Sequence, residues 1–124
     1  MKKVRTVVIV GASDTPGRIS GELFRRLSAM PGYDAIPVHP RVKEMDGRRV
    51  LSSLAEVGHH PDVVSLYVKS EISRDMGPEL LRLQPGKVVF NPGAENPPLR
   101  EALERKGIAT EEACSQVLLS QNDL

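Results

Sequence analysis

Residues 7–20 read VVIVGASDTPGRIS, and this stretch decides the fold of the 124-residue chain. Four β-branched residues lead into a glycine, a turn of small residues and then a helix, which is typical of a strand that ends at a helix N-terminus. The first amides of a helix have no partner within it and carry partial positive charge. We therefore predict that this turn binds phosphate, as such turns do in parallel α/β sheets.

Short apolar runs alternate with amphipathic segments along the rest of the chain. This alternation predicts an α/β fold, in which a doubly wound parallel sheet of about five strands carries helices on both faces. The predicted strands are residues 7–10, 35–38, 62–68, 87–90 and 108–109. We expect a single domain over residues 1–124, because a chain of this length buries roughly two thirds of the surface that it exposes when unfolded.

Two apolar stripes mark the first helices of the sequence. Pro31-Gly32 is expected to end the first helix, and Pro78 is expected to kink or restart the second. The first stripe consists of Ile19, Leu23, Leu27 and Met30, and the second consists of Ile72, Met76, Leu80 and Leu83. This spacing places each set on one face of a helix, which predicts that both faces pack against the sheet.

The later helices have recognisable ends. Asn96 suits the cap of a helix whose first residue is Pro97, and Gly107 suits the left-handed position after its last turn. Thr110 is expected to cap a final helix that carries Val117 on its apolar face.

The segment between the second and third predicted strands has the weakest pattern. For residues 41–58 we predict a loop, a short edge element around residues 49–51, and one helical turn capped by Ser52 or Ser53. No other linker, repeat or low-complexity stretch interrupts the sequence.

Composition argues against several classes of partner. The net charge is +1, from 17 basic and 16 acidic residues, and the aromatic residues are two Tyr and two Phe, which is unlike a nucleic-acid-binding protein. No apolar stretch approaches the ~20 residues that cross a bilayer, and the opening MKKVR precedes a strand instead of a hydrophobic signal core. The single cysteine, Cys114, has no second cysteine for a disulfide or a metal site. We therefore expect a cytoplasmic protein that binds no nucleic acid, membrane or metal.

Four loops are expected to meet at one edge of the sheet, because parallel strands end at the same edge and ligands bind outside those ends. The loops are residues 11–18, 39–43, 68–70 and 91–96. In the first loop Gly11 permits close backbone approach, Ser13 can donate its hydroxyl, and Arg18 can form a bidentate pair with phosphate. The other loops add Arg, Lys and a glycine turn before a helix. Together they predict a site for a phosphate ester.

The loop after the second strand distinguishes between nucleotide-like ligands. The dinucleotide motif G-x-G-x-x-G is incomplete, since the glycines here are Gly11, Gly17 and Gly21. Where NAD-binding proteins have an acidic residue, this chain has His39-Pro40 followed by Arg41 and Lys43. Cations at that position favour a ligand with an additional phosphate, such as NADP or coenzyme A (CoA), over NAD.

Four stretches of the chain resemble the CoA-binding domain family. They are VVIVGASDTPGRIS, IPVHPRVKEMDGRRVLSSLAEV, YVKS and NPGAENPPLREALERKGI, and they span nearly the whole chain. This Rossmann-like module is also found as the amino-terminal part of the succinyl-CoA synthetase α subunit and of ADP-forming acyl-CoA synthetases. The resemblance implies that CoA lies across the ends of the strands.

The resemblance also implies a role for each matching residue. The phosphates would be held by Gly11, Ala12, Ser13 and Arg18, in the loop that also contains Pro16. The ribose phosphate and adenine would lie against His39, Pro40 and Lys43, and the middle of the ligand against Val68 and Lys69. The pantetheine side would be lined by Pro92, Gly93 and Ala94. Family members commonly have Asn where this chain has His39, and either Arg41 or Lys43 could supply the main cation.

The leading hypothesis is a module that binds CoA or an acyl-CoA without intrinsic catalysis and acts through a protein partner or as a homo-oligomer. Related synthetases carry their catalytic machinery in further domains, and no Ser, His and acid set appears at informative spacing here. One alternative is an enzyme, either an NADP-dependent oxidoreductase or a CoA-dependent enzyme that needs a partner domain. Another is an interaction protein whose nucleotide pocket has decayed.

Overall fold

A parallel sheet with helices forms the part of the chain that the computed structural model describes, residues 4–13, 17–58 and 60–124. In chain order the elements are β1 (Arg5–Val10), α1 (Ile19–Ser28), β2 (Tyr33–Val38), β3 (Glu44–Met45), β4 (Arg48–Arg49), β5 (Val63–Leu66), α2 (Ser70–Ser73), α3 (Gly77–Leu83), β6 (Lys87–Phe90), α4 (Pro97–Arg105), β7 (Ala109–Glu112) and α5 (Ser115–Ser120). Two 3-10 turns, Leu54–Glu56 and Arg74–Met76, complete them. None of the helices in these residues has the length and apolar character to span a membrane.

Five parallel strands lie side by side in the order β2-β1-β5-β6-β7. From β1 the chain moves to β2 on one side, and it later crosses back to β5 on the other side. The loops after β1 and β5 therefore diverge, which is the arrangement that creates a crevice in an open α/β sheet. The predicted doubly wound sheet of five strands is confirmed.

The sheet buries apolar residues on both faces because successive strand residues point in opposite directions. One face packs its strand residues against α3 and α4, and the cluster includes Val8, Val64, Phe90, Leu80 and Leu103. The other face packs against α1 and α5, and that cluster includes Ile9, Val63, Leu23, Phe24 and Leu118. Continuous β-branched runs such as residues 7–10 are the consequence of this double burial.

The apolar stripes of the first two helical segments were predicted only in part. Leu23 and Leu27 are buried, and Phe24 completes the buried face of α1. Ile19 and Met30, by contrast, are 54% and 37% exposed. Met30 lies beyond the last residue of α1 and so leaves the helical register. Ile19 lies in the first turn, where the helix meets the crevice instead of the sheet.

The second helical region restarts beside Pro78, as predicted, with α3 beginning at Gly77. The chain passes from α2 through the turn Arg74–Met76 into α3, and Pro78 occupies the first turn of α3, where its missing amide costs no helical hydrogen bond. Leu80 and Leu83 are buried, whereas Ile72 of the predicted stripe is 55% exposed.

The boundaries predicted for α4 are confirmed, and those predicted for the last helix are wrong. The Oδ1 of Asn96 accepts a hydrogen bond from the amide of Leu99 at 3.3 Å, and Gly107 has a φ of +83°. Thr110, however, is not a helix cap, because it lies in β7 opposite Val88. An edge strand is half-exposed and can consist of polar residues, so the apolar pattern gives little sign of it. The last helix, α5, begins at Ser115.

Residues 41–58 form a hairpin and a turn beside β2. The strands β3 and β4 are joined at Asp46-Gly47, both with positive φ, which is a common hairpin connection. Leu51 then pairs in parallel with Val38, close to the predicted edge element, and Ser53 precedes the predicted turn at Leu54–Glu56. This pairing extends the sheet beyond β2 at its carboxyl end.

Candidate functional site

Gly11 directly follows β1, at the point where the connections after β1 and β5 run in opposite directions. Its φ is +87°, which favours glycine, and an added Cβ would lie 3.0 Å from Cγ1 of Val68 and 3.3 Å from the carbonyl carbon of Tyr67. The amides of Gly11 and Ala12 donate to the carbonyl oxygen of Val38 at 2.9 and 3.3 Å. These contacts tie the ends of β1, β2 and β5 together and form the floor of the crevice.

A polar cleft of about 620 Å³ lies between this floor and the N-terminus of α1. The Gly11 and Ala12 amides already have a partner, whereas the amides of the first turn of α1 have none within the helix and can face a ligand. Arg18 stands exposed at the N-cap position of this ten-residue helix. The lining residues are Gly11, Ser13, Gly17, Arg18, Ile19, Ser20, His39, Tyr67 and Val68. Helix amides, hydroxyl groups and a guanidinium are the groups that bind phosphate.

A second cleft of about 490 Å³ lies on the other side of the β1 end and is mostly apolar. Its walls come from the ends of β1 and β2, the segment that follows the hairpin, and the α2–α3 region. The lining residues are Val10, Gly11, Val38, His39, Pro40, Arg41, Ser52, Ser53, Leu54, Ala55, Val68, Ile72, Asp75, Met76 and Glu79. Apolar walls with a few polar groups at the rim suit a flat organic ring.

The two clefts share three residues, Gly11, His39 and Val68. Gly11 has no side chain, so His39 and Val68 define the junction. A ligand that has both an anionic group and an apolar ring can therefore occupy both clefts by passing over this junction.

His39 shapes the loop that borders the junction. Its Nδ1 accepts hydrogen bonds from the amides of Arg41 at 3.0 Å and Val42 at 3.1 Å. Its own amide donates to the carbonyl oxygen of Leu51 at 2.9 Å. The loop is thus held both by a side chain and by the pairing that extends the sheet.

The two candidate cations of this loop differ in position. Arg41 lines the apolar cleft, whereas Lys43 lines neither cleft. The carbonyl oxygen of Lys43 accepts a hydrogen bond from the amide of Val50 at 3.0 Å, which places Lys43 at the base of the hairpin.

The structure brings together only part of the predicted site. Gly11, Ser13, Arg18, His39, Pro40 and Val68 line at least one of the two clefts. Ala12 is fully buried beneath them. The remaining predicted residues that are described, Lys43, Lys69, Pro92, Gly93 and Ala94, lie outside the lining of both clefts. Pro16 falls in 14–16, outside the described residues.

The fourth predicted loop has a structural role. Asn91 is buried, its Nδ2 donates to Ser65 Oγ and the Leu66 carbonyl oxygen at 2.9 Å each, and its Oδ1 accepts from the Ser115 amide at 2.8 Å. Asn96 donates to Ser73 Oγ at 2.8 Å, which braces α2 against the start of α4. The loop therefore supports the apolar cleft from behind.

Several residues of the apolar cleft were missed from the sequence. Ile72 and Met76 were assigned to a core-facing stripe, and of these Met76 packs against the core as well as lining the cleft, while Leu54 was not singled out. The sequence signal for Leu54 was an apolar residue directly after Ser52-Ser53. Its position at the cleft could not be predicted, because it depends on the pairing of Leu51 with Val38.

Tyr67 lies at the boundary between the polar cleft and the core. It lines the cleft, yet its hydroxyl is buried and has no hydrogen-bond partner among the described residues. Burial raises the pKa of Tyr67 from 10.0 to about 12, and nearby Cys114 adds to the increase. The hydroxyls of Ser65 and Ser115 bond to each other at 2.7 Å. They lie near enough to stabilise the ionised phenol, which offsets part of the increase in the Tyr67 pKa.

Within the described ranges, no group of three or more His, Cys, Asp or Glu side chains is placed to hold a metal ion. The cleft-lining residues supply cations, hydroxyls and apolar walls, and the apolar cleft also has the carboxylates of Asp75 and Glu79 in its lining. This arrangement fits recognition of a phosphorylated organic molecule.

Comparisons with known proteins agree with this chemistry. A family model described as CoA binding domain matches residues 5–120. A Bacillus subtilis (strain 168) protein described as uncharacterized protein YneT is 28% identical over 107 residues, which are 86% of this chain and 78% of that relative. A solved structure described as an uncharacterized protein is 30% identical, with a TM-score of 0.89 over 98% of both chains.

A more distant likeness shows the fold alone. The dinucleotide forming acetyl-coenzyme A synthetase 1 of Ca. Korarchaeum cryptofilum, solved in complex with phosphate and ADP, is 19% identical with a TM-score of 0.74. The match covers 90% of this chain and 26% of the synthetase. The same sheet and helices therefore occur as one part of a much longer protein.

Gly21 tests how closely the first loop must approach α1. An added Cβ at Gly21 would collide with the carbonyl oxygen of Ser13, whereas one at Gly32 would meet nothing within 4 Å. Gly21→Ala should therefore lower the free energy of unfolding by about 1–3 kcal/mol, the usual cost of overpacking. Gly32→Ala is the matched control and should change it by less than about 0.5 kcal/mol. Equal denaturation midpoints for the two variants would show that the loop at Ser13 can move away from α1 without loss of stability.

Tyr67→Phe tests the buried hydroxyl. Removing a hydroxyl that is buried without a partner should raise the free energy of unfolding by about 1 kcal/mol at neutral pH. The wild-type neutral phenol is favoured by folding, since its pKa is about 12 in the folded protein and 10.0 ordinarily. The free energy of unfolding is therefore unaffected by this titration below pH 10, and it falls as the pH rises toward 12, because the unfolded chain loses the Tyr67 proton first. Thermal denaturation should show a smaller loss of stability between pH 9 and 11 in the variant, and equal losses would contradict the assignment.

Proposed function

Because this chain belongs to the CoA binding domain family, we propose that it binds coenzyme A or an acyl-CoA across its two clefts. The observation that carries the proposal is the junction at Gly11, His39 and Val68, which joins a polar cleft to an apolar one. CoA has the matching parts, a pyrophosphate next to an adenosine that bears a further phosphate.

The pyrophosphate would lie in the polar cleft. There it would meet the first-turn amides of α1 and the guanidinium of Arg18, which can pair with two phosphate oxygens. The hydroxyl of Ser20 lines the same cleft. These groups make the first loop and the start of α1 a phosphate-binding loop.

The adenine would lie in the apolar cleft. Leu54, Ile72 and Met76 supply apolar walls, and the exposure of Ile72 is explained if it covers a ligand instead of the core. Arg41 at the rim would then meet the phosphate on the ribose. The pantetheine arm would leave past Val68 and Lys69 toward residues 92–94, along the carboxyl edge of the sheet.

The proposed role is binding without intrinsic catalysis, in the cytoplasm, with a protein partner or a second copy of the chain using the bound CoA. At the apolar cleft the hydroxyl of Ser52 donates to the carboxylate of Glu56, and this bond lowers the pKa of Glu56, so the pair is a poor nucleophile and base. NADP is the second candidate, because Arg41 also stands where an NADP-binding protein places a cation for the ribose phosphate.

Ligand-induced stabilisation tests the proposal. CoA at 100 times its dissociation constant should add about 2.7 kcal/mol to the free energy of unfolding. Thermal shift and calorimetry with CoA, dephospho-CoA, NADP and NAD should rank CoA first and NAD last. Stabilisation by NADP but not by CoA would favour the oxidoreductase alternative. If none of the four ligands binds, the proposal is wrong and the decayed pocket becomes the better reading.

Arg41→Ala and Lys43→Ala form a matched pair for locating the cation. What supports Arg41 is its place in the lining of the apolar cleft, which Lys43 lacks. Loss of a charge-assisted hydrogen bond costs about 1.5–3 kcal/mol, so Arg41→Ala should weaken CoA by ten-fold or more and dephospho-CoA much less. Lys43→Ala should change both affinities by less than about three-fold, as exposed charges do. Calorimetry decides, and the reverse order of effects would assign the contact to Lys43.

A further inference from the structure

The two ring nitrogens of His39 have different surroundings. Nδ1 accepts from the amides of Arg41 and Val42. Nε2 has no hydrogen-bond partner in the described part of the chain, and His39 is one of the residues that line both clefts. One nitrogen is therefore used by the loop, and the other is available at the junction.

The hydrogen bonds determine where the proton lies on the neutral ring. A nitrogen that accepts from two amides presents its lone pair to them and carries no proton. The proton of the neutral imidazole must then be on Nε2, which makes Nε2 a donor. His39, a residue of both cleft linings, thus has an N–H group that its own loop does not use.

From this geometry we infer that His39 is a positioning and specificity residue with two separate tasks. Through Nδ1 it folds residues 40–42 so that Arg41 lies at the apolar cleft. Through Nε2–H it donates to an oxygen of the bound ligand, on the ribose or on a phosphate. The inference rests on the proposed function, because the second task requires a ligand that crosses the junction.

The loop needs the side chain of His39 because its backbone bonds lie elsewhere. The His39 amide is bonded to Leu51, and the Lys43 carbonyl to the amide of Val50. These bonds fix the two ends of the loop. The amides of Arg41 and Val42, in the middle, donate to Nδ1 of His39. An asparagine oxygen can occupy the place of Nδ1, but the side chain is then shorter than the ring and does not reach as far as Nε2.

The protonation state can be measured directly by ¹⁵N NMR of histidine-labelled protein. His60 is an internal reference, because its Nδ1 lies 2.8 Å from the carbonyl oxygen of Leu83 and must donate to it. We expect His39 to carry its proton on Nε2 and His60 on Nδ1. On addition of CoA, the Nε2–H signal of His39 should shift, and that of His60 should not. A proton on Nδ1 of His39 would overturn the inference.

Three variants separate the two tasks. His39→Asn keeps an acceptor for the loop and should melt within about 2 °C of wild type, but it should bind CoA roughly ten-fold more weakly. His39→Ala loses both tasks and should melt lower and bind more weakly still. His60→Asn, at the opposite edge of the sheet, is the control and should bind CoA as wild type does. CoA bound equally by His39→Asn and wild type would overturn the ligand contact.

Failure of this inference differs from failure of the proposed function. If wild-type protein binds CoA but the His39 signals and variants behave like those of His60, only the inference is wrong. If wild-type protein binds no CoA, the ligand contact falls with the proposed function, and the NMR spectrum and melting temperatures still decide the loop task. Dephospho-CoA identifies the acceptor, since an equal loss of affinity for both ligands excludes the extra phosphate as the partner of Nε2.

Discussion

The opposite directions of the connections after β1 and β5 create the crevice on which every other feature of the candidate site depends. Where β1 ends, the chain must turn toward α1 without placing a side chain in the crevice. Gly11 does so with a φ of +87°, and a side chain there would press on Val68 and on the backbone of Tyr67. The same glycine lies in the lining of both clefts, so a side chain there would also alter the junction that they share.

Buried polar groups hold the carboxyl edge of the sheet in place behind the clefts. Asn91 connects β5, β6 and α5 through its amide group, and Asn96 connects the start of α4 to α2. Each group of Asn91 has a partner, so its burial carries little penalty and a lost partner would be costly. The fourth loop therefore affects the apolar cleft indirectly, by setting where α2 stands.

Local signals predicted the parts of the fold that are determined locally. Asn96, Pro97 and Gly107 specify the ends of α4 because a cap bonds to amides within its own turn. The strand at residues 87–90 was predicted with its observed bounds because it is buried on both faces. Thr110 was misassigned because an edge strand needs no apolar pattern.

The candidate site was predictable only to the level of loops. Parallel strands end at one edge, so the loops that follow them could be identified without coordinates. Their paths could not, because the place of Arg41 depends on His39 and on a pairing between Val38 and Leu51, which lie far apart in the sequence. Ile19 and Ile72 were assigned to the core for a related reason. Periodicity shows that a helical residue is apolar, but it does not show whether the residue faces the sheet or a cleft.

The wall formed by residues 51–55 shows why the apolar cleft exists before a ligand binds. Exposed ion pairs such as Arg25–Asp46 and Arg48–Asp34 contribute little to holding the hairpin. The wall is held instead by backbone bonds of Leu51 to Pro37 and His39, both 2.9 Å long.

Pro37 is compatible with this pairing because β2 is the edge of the five-stranded sheet, where a missing amide leaves no strand partner unsatisfied. Burial of Met45, Val50 and Leu54 fixes the hairpin and the following turn against the rest of the domain. A cleft that is already formed spares the ligand the cost of ordering its walls, so more of the contact energy appears as affinity. The hairpin and the segment after it therefore extend the sheet, and this extension sets the positions of the side chains on that wall of the cleft.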